Sequence, residues 1–239
     1  MSLTSPEWWL DKLYLAPGIL FGLVIHEFCH GYAAYRLGDR TAARAGRLTL
    51  NPLKHLDLLG TAALFLARIG WAKPVPVDPR NFKNPRQGIL ITSLAGPFSN
   101  LVVAALLGVA LGALFGAALK VPTTFTSSWL RLLYLVLFNA VYINIILALF
   151  NLLPIPPLDG SNVLWAVLPR NAAASYGRFM ARFGHAVLIL FFVVIFFGPD
   201  LGLPLLQWVI MPPLRLLMRA FTGYHLGELS YMYAALASL

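Results

Sequence analysis

Residues 13–36 read LYLAPGILFGLVIHEFCHGYAAYR. Leu13 to Ile25 carries no charge, and neither does Gly31 to Tyr35. A run this long and this apolar can cross a bilayer as a helix. Inside it stands His26-Glu27-Phe28-Cys29-His30. Histidines four apart share one helix face and make a good pair of zinc ligands. The glutamate between them can act as a general base toward water. In a soluble chain the pattern points to an ordinary metalloprotease. Within an apolar helix it points to chemistry at membrane depth.

Composition agrees with the membrane reading. The 239 residues are 59% hydrophobic and 11% charged, with mean hydropathy +0.75, whereas a soluble domain is about a quarter charged. The chain reads as an all-α polytopic membrane protein. It forms one membrane-embedded domain over 1–239, with a core at about 15–170 and C-terminal helices at about 181–239. Met1–Leu10 lacks the basic region of a cleaved signal peptide. The single cysteine rules out an intrachain disulfide and says little about compartment.

The net charge is +9, and ten of the 18 Lys and Arg fall between Arg36 and Arg86. They flank apolar spans, so a cytoplasmic loop explains them better than nucleic-acid binding. About five spans are expected, near 15–36, 89–118, 130–153 and 183–198, with a doubtful one at 203–219. The last holds Pro204, Pro212, Pro213 and Arg215 and reads equally as a kinked or surface segment. Residues 58–70 are apolar but too short to cross, which fits a re-entrant or interfacial segment. Gly70–Asp78 has period-two character, and its prolines confine it to an edge strand or loop. With the 37–88 loop cytoplasmic, Arg170, Arg178, Arg182, Arg215 and Arg219 fall on the same side. The N-terminus then lies outside. Gly108, Gly112 and Gly116 allow close helix packing; intrachain packing is the plainer use and a homodimer face the alternative.

Catalytic zinc needs a third protein ligand and an open position. Asp159 is the best candidate, in NLLPIPPLDG over 151–160. Three prolines there break the helix over 151–168, and broken helices at membrane depth occur where they are buried in protein or line a wet cavity. The alternative is that Asp159 caps a helix at 161–167.

Taken together, HEFCH and NLLPIPPLDG resemble the site-2 protease family of intramembrane zinc metalloproteases. Further matching stretches are Asn51–Asp57, Gly70–Asp78 with Arg80-Asn81-Phe82, and Ala95-Gly96-Pro97-Phe98-Ser99-Asn100. The likeness covers about 20–170 and is to the compact prokaryotic branch without PDZ or CBS domains. It implies one Zn2+ per chain on His26, His30 and Asp159, with Glu27 as base. It also implies that Asn151 positions substrate or stabilises the oxyanion. Asn100 holds either substrate or a neighbouring helix. The implied partners are transmembrane protein substrates and the lipid bilayer, in a multi-pass protein of the prokaryotic plasma membrane. Cys29 stands where the family usually carries a small residue, and Leu58 where proline is common.

Cys29 reads as a small buried apolar side chain, or else as a thiolate competing for zinc. His55 and Asp57 read as an interfacial turn with mutual hydrogen bonding, or else as a cluster that guards the site or binds zinc in a resting form. His185 and His225 read as structural. A substrate helix must unwind before cleavage, because its carbonyls are held in the helical ladder. Addition as an extended strand along Trp71–Val77 would replace those bonds. Two other functions fit less well. A catalytically silent membrane-protein-binding relative would not need all three ligands and the base. A metal-ion transporter would want ligands spread through several spans.

Overall fold

A computed structural model describes residues 6–58, 60, 72–197 and 205–237. The chain is an all-α polytopic membrane protein. Its helices are α1 (Pro6–Arg36), α2 (Thr41–Arg44), α3 (Pro85–Lys120), α4 (Ser128–Asn151), α5 (Asp159–Val167), α6 (Arg170–Phe197), α7 (Leu205–Val209), α8 (Met211–Thr222) and α9 (Leu226–Ala237). Four described stretches are long and apolar enough to cross a membrane: Leu13–Arg36, Pro85–Lys120, Ser128–Asn151 and Arg170–Val194. The doubtful stretch at 203–219 forms no such span among the described residues. From Leu205 on it forms the short helices α7 and α8, with Pro212 and Pro213 in the first turn of α8, where a missing N–H costs nothing. Asp39, just past α1, is fully buried and takes hydrogen bonds from Thr41, Asn81 and the Asp78 N–H.

Tertiary contacts divide the chain into two compact units, 1–22 with 100–147 and 207–239, and 23–99 with 148–206. In the first, a buried polar pair joins three helices. Asn100 Nδ2 donates to Asn144 Oδ1 at 2.8 Å and to the Gly22 carbonyl at 3.1 Å. Asn144 Nδ2 donates to Ala140 O at 2.8 Å and Gly18 O at 3.4 Å. Small residues admit this approach: a Cβ on Gly18 would stand 2.7 Å from Ala140 Cα. Gly108, Gly112 and Gly116 face Phe221, Thr222 and Tyr224 at the end of α8 and just beyond. Their close approach therefore serves intrachain packing. α9 completes the unit, with the buried Tyr134 hydroxyl donating to Leu229 O at 2.9 Å.

The second unit carries the edge segment and the break after α4. Leu56 and Ala72 form one isolated antiparallel bridge, and no longer strand occurs among the described residues. Pro74 and Pro76 lack the N–H groups a ladder requires. Apart from Leu58 and Gly60, the re-entrant reading of 58–70 falls outside the described residues, as does Trp71. α4 stops at Asn151, and the backbone of 152–158 is tied by local turns, such as Leu158 N–H to Ile155 O at 2.9 Å. Gly160 is required where α5 begins, because a Cβ there would lie 2.1 Å from Leu152 O.

Candidate metal centre

α1 presents His26 and His30 one turn apart, both buried. α5 presents Asp159 from its first turn. The cap of α5 is Leu158 with no side-chain cap bond, so the Asp159 carboxylate is free to point elsewhere. Its Oδ2 lies 3.2 Å from His26 Nε2 and 3.2 Å from His30 Nε2, and the two Nε2 atoms are 3.0 Å apart. Zinc–nitrogen and zinc–oxygen bonds of about 2.0–2.1 Å in tetrahedral geometry put ligand atoms roughly 3.3 Å apart. The three donors form one face of such a tetrahedron.

Their electronic arrangement points the same way. His30 Nδ1 is 2.7 Å from Thr92 O. A carbonyl only accepts, so Nδ1 carries a proton, and in the neutral ring Nε2 then presents a lone pair. That lone pair faces a second imidazole nitrogen and a carboxylate oxygen. A cation among them relieves the repulsion, and no other described trio of His, Cys, Asp or Glu converges in this way. The residues present therefore fit zinc.

Gly96 in α3 makes the space. A Cβ there would stand 2.4 Å from His30 Nε2 and 2.7 Å from His26 Nε2. Cys29 is half-buried next to the pair. Glu27 is held from the edge segment: its Oε2 accepts the Val75 N–H at 2.8 Å. A cavity of about 370 Å3 adjoins these groups, and Glu27, Asn151, Asn162, Thr92, Val75 and Val77 share its lining with the three donors.

The structure thus brings His26, Glu27, His30, Asn151 and Asp159 to one cavity. Asn100 is not among the lining; it is fully buried beside Asn144. His55 and Asp57 are not among it either. His55 Nε2 donates to Thr49 O at 2.7 Å, and Asp57 accepts the Gly60 N–H at 2.8 Å. Asn162 went unremarked in the sequence, although it lies three residues after Asp159 and so on the same helix face. Thr92 and Val75 act through main-chain atoms, which leave no residue signature. In the edge segment the Lys73 N–H goes to His55 O and the Asp78 N–H to Asp39. Among the described residues the Val77 N–H has no partner.

The break is supported from α6. Tyr176 Oη is 3.1 Å from Pro154 O, to which it donates, and 3.0 Å from Ser161 Oγ, from which it can accept. At the far end of α5, Arg86 Nε donates to Ala166 O at 2.7 Å. Tyr176→Phe removes one anchor of the segment carrying Asp159. The expected loss is about 1 kcal/mol of stability, seen in a thermal melt.

Burial pushes the Asp39 carboxyl up, but the hydrogen bonds from Thr41, the Asp78 N–H and Asn81 outweigh it and hold the group below the ordinary carboxylate range. A depressed folded value means the stabilisation is complete above the unfolded value and lost as pH falls through the folded one. Acid should therefore loosen the 37–41 and 78–81 loops first. Asp39→Asn should show lower stability at neutral pH and a flatter acid response, as read by proteolysis of these loops against pH.

The model of "Peptidase family M50" matches residues 14–195, which include every donor described above. The chain belongs to peptidase family M50. It is accordingly a metalloendopeptidase. It is 36% identical over 212 residues to "Putative zinc metalloprotease YwhC" of Bacillus subtilis, covering 84% of this chain and 86% of that protein. It is 33% identical over 191 residues to "Putative zinc metalloprotease Rip2" of Mycobacterium tuberculosis, covering 77% and 67%. No solved structure gives a significant match. The M50 assignment and the donor set agree on zinc.

Proposed function

We propose that this M50 protein acts as a single membrane-embedded protease, hydrolysing a peptide bond within or near a transmembrane segment of membrane-protein substrates. The observation that carries the reading is the convergence of Asp159, from the short helix α5, on His26 and His30 beside Glu27, which stand on a helix long and apolar enough to cross a membrane. One zinc per chain on these three residues would supply a Lewis acid that polarises the scissile carbonyl. Glu27 has one carboxylate oxygen fixed by Val75 and a second to offer water. It takes a proton from that water as the oxygen attacks the peptide carbon. It then returns the proton to the amide nitrogen as the C–N bond breaks. Asn151 donates to the oxygen on which negative charge develops.

The substrate lies extended along 75–77, where Val77 offers its N–H and the valine carbonyls accept. Main-chain pairing there replaces the helix bonds lost on unwinding. Replacing Val75-Pro76-Val77 as a block should abolish cleavage while zinc stays bound; unchanged cleavage would overturn the strand-addition step. The basic loops face the cytoplasm of a prokaryotic plasma membrane, and water enters from that side. The reading is tested by removing the metal. Chelation should stop cleavage of a tagged transmembrane substrate, zinc should restore it, and Asp159→Asn should hold zinc at least roughly tenfold more weakly. Cleavage that survives full zinc removal would defeat the proposal.

A further inference from the structure

A second cavity of about 360 Å3 lies where α1 ends and α3 begins, lined by Arg36, Gly38, Phe82, Lys83, Asn84 and Gln87 among others. The apolar stretch of α1 ends at Arg36 and that of α3 starts at Pro85. The cavity therefore lies at one end of each of these two candidate spans.

Two cations line this cavity and no carboxylate does. Among the described residues Arg80 with Asp78 is the only Lys or Arg ion pair, and none of them forms an ion pair with Arg36 or Lys83. Arg36 gives one guanidinium N–H to the Tyr32 hydroxyl at 3.0 Å, and its Cζ stands 5.8 Å from the centre of that ring. This orients the head and leaves further N–H donors for a ligand. Asn84 accepts the Gln87 N–H through its side-chain oxygen, which leaves its amide N–H groups for an anion.

Below the cavity the wall turns apolar and outward. Ile91, Leu94 and Phe98 follow Gln87 at spacings of four, three and four, so they share its helix face. They are 39%, 38% and 67% exposed. Cations above an exposed apolar stripe suit a ligand with an anionic head and a hydrocarbon chain. We propose that this cavity binds the phosphate of an anionic phospholipid between Arg36 and Lys83, with an acyl chain along Ile91, Leu94 and Phe98. Inorganic phosphate would satisfy the cations but not the stripe. The lipid would tie together the ends of α1 and α3, the two helices that also meet at His30 and Thr92.

The test is native mass spectrometry of the full-length protein released from vesicles of phosphatidylglycerol and phosphatidylcholine. Zinc content serves as the check on folding. Wild type should retain one phosphatidylglycerol. Arg36→Gln with Lys83→Gln should weaken retention about 25-fold, roughly fivefold for each interfacial cation. Lys83→Gln alone, at an exposed residue, should give the smaller step and covers the case where the double variant misfolds. Lys54→Gln with Arg170→Gln removes equal charge away from the cavity and should change nothing. Equal loss in that control pair would overturn the proposal in favour of diffuse surface charge. Full competition by inorganic phosphate would overturn the lipid assignment.

Discussion

Gly96→Ala is expected to strip the metal from a chain that still folds. The added methyl would stand 2.4 Å from His30 Nε2 and 2.7 Å from His26 Nε2. Neither distance is tolerable, and both conflicts are with the proposed donor atoms themselves. Relief comes from turning the imidazoles aside, which breaks the bond from His30 Nδ1 to Thr92 O and disperses the donor triangle. Overpacking a buried site costs about 1–3 kcal/mol of stability, which a helical membrane protein can survive. Metal binding cannot survive it, because two of three donors move. Even a lost supporting contact lowers metal affinity about 10–100-fold. Zinc affinity should therefore fall by at least about 100-fold, with helicity by circular dichroism unchanged. Full zinc occupancy in this variant would mean that the donors sit elsewhere.

Glu27→Gln is expected to separate the metal from the chemistry. Glutamine keeps the length of the side chain, and its amide oxygen can still accept the Val75 N–H that Glu27 Oε2 accepts now. It cannot take a proton. Zinc content should match wild type while the cleavage rate falls roughly 10²–10⁴-fold, the range for loss of a positioned general base. A rate near wild type would remove Glu27 from the proton transfer.

The sequence made the candidate metal centre legible because its residues are costly where they stand. Two histidines and a glutamate inside an apolar span are unusual on energetic grounds alone. Asp159 was legible because prolines and Gly160 announce a broken helix around it. What supports these residues was not legible. The Thr92 carbonyl and the Val75 N–H are main-chain groups that any residue could provide. The role of Gly96 lies in an absent side chain, and its importance emerges only when α3 is laid against α1. Asn100 illustrates the opposite difficulty. Its type allows substrate contact or helix packing, and its partners decide where it sits: Asn144 and the Gly22 carbonyl lie 44 and 78 residues away in sequence. The stretch at 203–219 carried both apolar and helix-breaking signals. Among its described residues, Ile210, Leu214 and Met218 are buried within the protein, which gives part of its apolar content a use in packing.

The most direct measurement is cleavage of a tagged transmembrane substrate in liposomes by wild type and Glu27→Gln, with zinc quantified in both. The account predicts one zinc per chain in each and cleavage by wild type alone. A well-folded wild type that binds no zinc, or a Glu27→Gln variant that cleaves as fast as wild type, would contradict it.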